Sequence, residues 1–205
     1  MEKNKKFFAS MQHSMAMEKA FLFGKRQTTT GTNGQPMRMT GGLSHFVTSN
    51  VTDFSSTGLS KDGLEDALRD IYTVPGGSKN KIAFCGNQFM GIINRLGEAH
   101  LCINVEPRDT TYGLQIRNYV HAWGELKLVA HPLLSEHAVW TKNAFIVDTR
   151  NIAYRYLPTY DTKLRRNIQN PGVDGVVHEW MTKAGLELQH ERTHGILTGV
   201  DTFIA

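Results

Sequence analysis

The sequence predicts an α+β protein, with helices gathered in its first half and strands in its second. Three observations carry this. Apolar residues recur at helical spacing over about residues 5–23, 60–73 and 87–97. Beyond residue 100 the chain is a series of short β-branched and aromatic runs bounded by Gly, Pro and Asn. The order helix, helix, strand, helix, then many strands lacks βαβ winding, and no segment repeats.

The first helix is predicted from about Lys5 to Phe23. Phe7, Met11, Met15 and Leu22 form its apolar stripe, widened by Phe8 and Phe21, and its methionine-rich face reads as adaptable packing. Gly24 suits the residue after the helix, and Lys25-Arg26 complement its carbonyl end. The Thr-, Gly- and Asn-rich stretch Gln27–Gly42 is predicted to be a long loop, with ordered structure resuming over Leu43–Val51. Ser60 caps a second helix ending near Thr73, with Leu59 and Leu64 as a hydrophobic staple and Leu64, Leu68 and Ile71 facing a core. Pro75-Gly76-Gly77 turns the chain into a strand over Lys81–Gly86. Asn87 then caps a third helix, which Gly97 closes. Strands are predicted over His100–Val105, within Leu114–Ala130 with a break near Gly124, over Phe145–Val147 and over Ile152–Leu157. Val173–Met181, Leu186–His190 and Gly195–Val200 are predicted to form one antiparallel set, with a turn at Lys183-Ala184-Gly185.

The chain has 205 residues, 40% apolar and 20% charged, enough for one good core or two small lobes. The charged start, Met1 to Lys6, is followed by no apolar segment, so no secretory signal is expected, and the apolar runs fall short of a bilayer span. Cys85 and Cys102 lie in apolar segments, read as reduced core thiols and lack metal-binding spacing. The net charge of +4 is mild. Its densest cluster, Lys3, Lys5, Lys6, Lys19, Lys25 and Arg26, reads as a solvated helix face in preference to a dedicated nucleic-acid surface.

One motif invites a catalytic reading. His190-Glu191-Arg192-Thr193-His194 matches H-E-x-x-H, in which two histidines bind zinc and the Glu acts as general base. That chemistry needs a helix, because only then do residues i and i+4 aim at one ion. Here Gly185 to Gln189 alternates as a strand does and Gly195 follows at once, and on a strand residues four apart are separated by about 13 Å. His13, His45, His100, His121, His131, His137 and His178 are scattered. Asp161, Asp174, Glu179 and Asp201 have no spacing that makes a carboxylate pair. There is no P-loop, no G-x-G-x-x-G and no G-x-S-x-G. No catalytic, cofactor-binding or metal residue is therefore assigned. A zinc-dependent hydrolase on His190, Glu191 and His194, and a small nucleic-acid-binding protein on the basic first helix, stand as alternatives.

Several segments, in this order, carry a resemblance: Met17-Glu18-Lys19-Ala20-Phe21-Leu22-Phe23-Gly24-Lys25; Thr40-Gly41-Gly42-Leu43 leading into Thr48-Ser49-Asn50-Val51; residues 81–96; Trp123-Gly124-Glu125-Leu126; Gln169 with Gly172-Val173-Asp174-Gly175; and Gly185-Leu186-Glu187-Leu188. Together they resemble the major capsid proteins of tailed phages with the Hong Kong 97 fold, in particular the SU10-like major capsid family. The resemblance covers nearly the whole chain. It departs at the front, where such proteins carry an N-terminal arm and an extended hairpin loop and this sequence starts at the spine helix. It implies a peripheral lobe built on that helix and an axial lobe with a mixed sheet flanked by helices. On that pattern residues 1–50 are spine helix and loop, 51–134 axial, and 135–205 strands returning to the peripheral lobe. It further implies a non-enzymatic subunit with no cofactor, assembled in the bacterial host cytoplasm into the virion shell. The implied partners are identical copies in pentamers and hexamers, portal or scaffolding protein, and packaged DNA held by non-specific contact. A bacterial encapsulin shell, with protein cargo in place of DNA, shares the same architecture and is the alternative within it.

Overall fold

A computed structural model describes residues 2–100 and 116–204. Helix α1 (Glu2–Phe23) leads into strands β1 (Gln27–Thr30) and β2 (Pro36–Met39), then short helix α2 (Leu43–Phe46), β3 (Val51–Asp53) and α3 (Lys61–Tyr72). Strand β4 (Asn80–Cys85) is followed by α4 (Asn87–His100), β5 (Ile116–His121), β6 (Gly124–Ala130), α5 (Pro132–Ser135), β7 (Ala144–Val147), β8 (Ile152–Tyr156), β9 (Lys163–Arg165), β10 (Glu179–Met181), β11 (Ala184–Leu188) and β12 (Gly195–Thr198). The architecture is α+β, as expected. The strand predicted from His100 to Val105 falls, beyond His100 itself, outside the described residues, as does Cys102.

The chain divides into two compact units. The first comprises Met1–Phe46 and Ala153–Glu187, the second Val47–Ile152 and Leu188–Ala205. This grouping differs from the three consecutive segments of the expected division, because residues 135–152 and 188–205 cluster with the middle of the chain.

The second unit is built on a six-stranded mixed sheet of order β3-β12-β7-β4-β6-β5. Strand β4 runs parallel to β6 and antiparallel to β7, with Ala83 opposite both Leu128 and Ile146. Alternation along β4 buries Lys81, Ala83 and Cys85, whereas all four residues of β7 are buried, as befits a central strand. Leu64, Ala67, Leu68 and Ile71 of α3 and Phe89, Ile92, Ile93 and Leu96 of α4 pack onto Ala83, Leu126, Leu128 and Ile146 in one continuous core. Helix α3 starts as its sequence dictates. Ser60 is extended and accepts a hydrogen bond from Gly63 N at 3.1 Å, and Leu59 and Leu64 of the staple are both buried. Gly97 does not close α4, which continues to His100.

The first unit is α1 with α2 and three two-stranded sheets, β1-β2, β10-β9 and β11-β8, the last reaching the unit boundary at Ile152 and Leu188. Residues 27–42, expected to be a loop, instead form a hairpin in which Gln27 pairs Met39 and Thr30 pairs Pro36. Gly34, at φ +74°, makes its turn. Nearly every side chain of this hairpin is exposed, so it lacks the apolar alternation by which strands are recognised. Gly24 ends α1 through close approach, its φ being negative: Gly24 N donates to Ala20 O and Gly42 N to Gly24 O, at 2.9 and 2.8 Å. A Cβ on Gly42 would lie 2.7 Å from the carbonyl oxygens of Ala20 and Phe21. The three late segments predicted as one antiparallel set do not pair with one another and join four other strands instead. Glu179–Met181 joins the unpredicted β9, Ala184–Leu188 joins β8, and Gly195–Thr198 joins β7 and β3. Alternation marks a strand but not its partner.

Candidate assembly surface and a buried polar cluster

The H-E-x-x-H segment is neither helix nor strand. Chain direction changes at His190, which adopts φ +46°, and Glu191–Thr193 form a single 3-10 turn. The strand expected there ends at Leu188. His190 is exposed, while His194 is fully buried. Glu191 is committed elsewhere. Its Oε1 accepts from the backbone N–H groups of Thr48 and Ser49, each at 2.6 Å, and its Oε2 from Ser49 Oγ at 2.8 Å. Burial would raise the pKa of its carboxyl, but these donors outweigh it and hold the group below the usual carboxylate range. Glu191 is thus an anchor for the segment entering β3. Among the described residues no group of three or more His, Cys, Asp or Glu gathers to hold a metal ion.

Beneath this turn lies a polar cluster that the sequence did not reveal. Lys81 and Asp148, both with no exposed side-chain surface, form an ion pair at 3.2 Å. Lys81 Nζ also donates to Thr193 O at 2.9 Å, and Asn151 Nδ2 donates to Asp148 Oδ2 at 3.3 Å and to Thr193 Oγ1 at 3.1 Å. Ser78 N donates to Asp148 Oδ2 at 2.6 Å, and Asp148 N donates to His194 Nδ1 at 3.2 Å. Burial lowers the pKa of the Lys81 ammonium, opposed by Asp148. It pushes the Asp148 carboxyl up, yet the N–H donors of Ser78 and Arg150 and the Lys81 charge bring it below its ordinary value. Burial keeps His194 neutral. The cluster joins β4, the end of β7 and the turn before β12. The only local signal for it was a lysine at the head of an apolar strand.

The other carboxylates considered from sequence are dispersed. Asp161 accepts from Tyr154 Oη at 2.8 Å, Glu179 pairs with Arg165 at 3.6 Å, and Asp201 pairs with Lys142 at 2.5 Å. Cys85 is a buried free thiol whose pKa burial pushes up, which removes nucleophilic character.

The first unit has a surface of a different kind. Helix α1 turns its predicted apolar stripe outward: Phe7 and Phe8 are each 61% exposed, Met11 44% and Met15 39%. These four lie within an arc of about 100° on the helix. Lys6, Ser10, His13, Met17, Ala20 and Phe21, on another face, are half-buried. His13 Nε2 meets Thr182 Oγ1 at 2.7 Å, and Phe21 packs edge-on against Tyr154 with ring centres 5.9 Å apart. Leu22, at the helix end, is buried. Helical spacing reports that an apolar face exists, not what covers it. Met37 and Met39 on β2 and Val173, Val176 and Val177 on the loop before β10 extend the exposed apolar surface of this unit.

Residues 3–201 match the family model described as SU10 major capsid protein. The chain belongs to the SU10 major capsid protein family. The major capsid protein of Pseudomonas phage PaMx41 is 26% identical to it over 169 residues, covering 78% of this chain and 40% of that protein. The chain thus spans about two fifths of the length of the relative it matches. The family is one of structural proteins and not enzymes, in accord with an H-E-x-x-H segment whose residues serve separate structural contacts. No helix among the described residues is long and apolar enough to cross a membrane.

Proposed function

We propose that this chain is a structural subunit that packs with identical copies into an icosahedral phage shell enclosing DNA. On this reading the fold is of Hong Kong 97 type. The first unit, built on α1 as spine helix, is the peripheral lobe. The second, with its mixed sheet and the helices α3 and α4, is the axial lobe whose copies close rings of five or six. Family membership supports the role. Portal or scaffolding protein and non-specifically held DNA are the further partners the reading expects, with assembly in the host cytoplasm and residence in the virion.

The observation that carries the reading is the outward Phe7, Phe8, Met11 and Met15 face of α1. Four large apolar side chains on one arc of a solvated helix are covered only when another surface meets them. In a shell that surface belongs to a neighbouring copy. The test is sedimentation and electron microscopy of the purified chain beside Phe8→Asp/Met11→Asp. The wild type is expected to form rings, shells or smaller oligomers, and the variant to remain monomeric with an unchanged circular dichroism spectrum. A wild type that stays monomeric at high concentration and binds no apolar dye overturns the proposal.

A further inference from the structure

The β9–β10 connection is an ordered projection. Ile168 N donates to Val177 O at 3.1 Å, Val173 N to Asn170 O at 3.2 Å, and Asn167 N to His178 Nδ1 at 3.3 Å. Its tip, Gly172-Val173-Asp174-Gly175, has both glycines at positive φ, +89° and +149°, with open space around each. The loop holds Val173 at 56%, Val176 at 67% and Val177 at 47% exposure. Hydrogen bonds that fix a loop and leave its valines in water make sense when a partner surface receives them. Asp174 is the one carboxylate in residues 166–178.

Beside this loop lies a groove of about 460 Å³. Lys5, Lys6 and His178 line it together with Ala9, Leu164 and Trp180, and Val176 belongs to both loop and groove. The groove thus has both apolar and basic lining, where the loop tip is apolar with one negative charge. All of these residues belong to the first unit, which carries twelve Lys and Arg against six Asp and Glu.

We propose that the 166–178 loop of one copy docks reciprocally into this groove of a second copy, about a two-fold axis. Val173 enters against Ala9, Leu164 and Trp180, and Asp174 meets the ammonium of Lys5. Because loop and groove adjoin on one face, a two-fold operation lets each copy supply both halves, which is the requirement for a self-complementary contact. Charge sign selects this occupant: the loop tip carries the negative Asp174, and the groove is lined by the positive Lys5 and Lys6. The inference rests on the shell reading above and names one of the contacts such a subunit makes.

Paired cysteines and paired charges test it. Ala9→Cys combined with Val173→Cys in one chain is expected to give disulfide-linked dimers on mild oxidation, whereas either single variant behaves as the wild type. Asp174→Lys is expected to weaken association about fivefold, and Lys5→Glu added to it to restore most of the loss. The two residues are exposed, so folding is unaffected. Association that persists without cross-linked dimers and without charge-swap rescue overturns this contact while leaving the shell reading standing. A wild type that does not associate at all removes the shell reading, and this contact with it.

Discussion

The two units of this chain spend their apolar residues in opposite ways. Among the described residues, Leu22 and Leu43 are the only buried apolar side chains of the first unit, while the second buries a continuous set from Val47 to Val200. Of seventeen large apolar side chains left exposed, thirteen belong to the first unit. Charge divides the same way. The first unit has a net +6, from twelve basic and six acidic residues; the second has −2, from eleven and thirteen. The second unit is a self-sufficient domain in which a sheet and two helices enclose a core. The first has few buried apolar side chains of its own. Two-stranded sheets are marginal in water when they stand alone, and this unit contains three. Burial is completed within the chain in the second unit, whereas the first leaves most of its large apolar side chains in solvent.

The largest expected effect tests the self-sufficient unit. Lys81→Ala leaves the Asp148 carboxylate buried without its cation and is expected to destabilise the second unit by about 3–5 kcal/mol in denaturant titration. Replacing both partners by apolar residues of similar size recovers most of that loss. If Lys81→Ala is neutral, the cluster does not hold this unit together.

A smaller effect is expected where the first unit depends on backbone proximity. Gly42→Ala places a methyl against the carbonyls of Ala20 and Phe21 and disrupts the Gly42–Gly24 hydrogen bond. A loss of about 1–3 kcal/mol is expected, read as fraying of the α1 C-terminal turn by hydrogen exchange. Gly34→Ala, in open space though at positive φ, is expected to cost less, about 1 kcal/mol.

Acid sharpens the comparison through His194. Burial holds its pKa below the ordinary value of 6.5, so the folded protein contains the neutral ring. Its stabilising contribution is complete above pH 6.5 and declines as pH falls through that value toward the folded pKa, by up to about 1.4 kcal/mol per pH unit. Melting of the second unit followed from about pH 8 down to about pH 5 is expected to show this fall. His194→Asn, which keeps an acceptor for the Asp148 N–H, is expected to flatten it. The smallest effect on stability is expected at Met11→Ala, within about 0.5 kcal/mol in the isolated subunit, although the same change weakens association. That pairing of outcomes would be unusual for a core methionine.

Much of the second unit was legible because its sequence pattern and its burial agree. Ser60 with Leu59 and Leu64 located the start of α3, and the alternation from Lys81 to Cys85 and the run at Phe145–Val147 located two sheet strands. The first unit was legible only in part. The stripe of Phe7, Met11 and Met15 located α1, but periodicity carries no information on whether the face it marks meets the same chain or another. The β1–β2 hairpin was missed because Thr28, Met37 and Met39 are exposed in a single copy. The late strands were found without their partners, since register between distant segments is decided by the whole sheet and not by local alternation. The polar cluster joins residues as far apart as Lys81 and Thr193, a pairing with no local signal. The H-E-x-x-H match was declined on an expected strand. A 3-10 turn stands in its place, and there Glu191 is held by Thr48 and Ser49.

The most direct measurement is hydrogen exchange on the unassembled chain and on assembled particles, compared unit by unit. Helix α1, the β1–β2 hairpin and the 166–178 loop are expected to exchange quickly in the free subunit and to become strongly protected on assembly. The second-unit strands β4, β6 and β7 are expected to be protected equally in both states. First-unit segments already as protected in the free subunit as those strands, or unchanged on assembly, would contradict it.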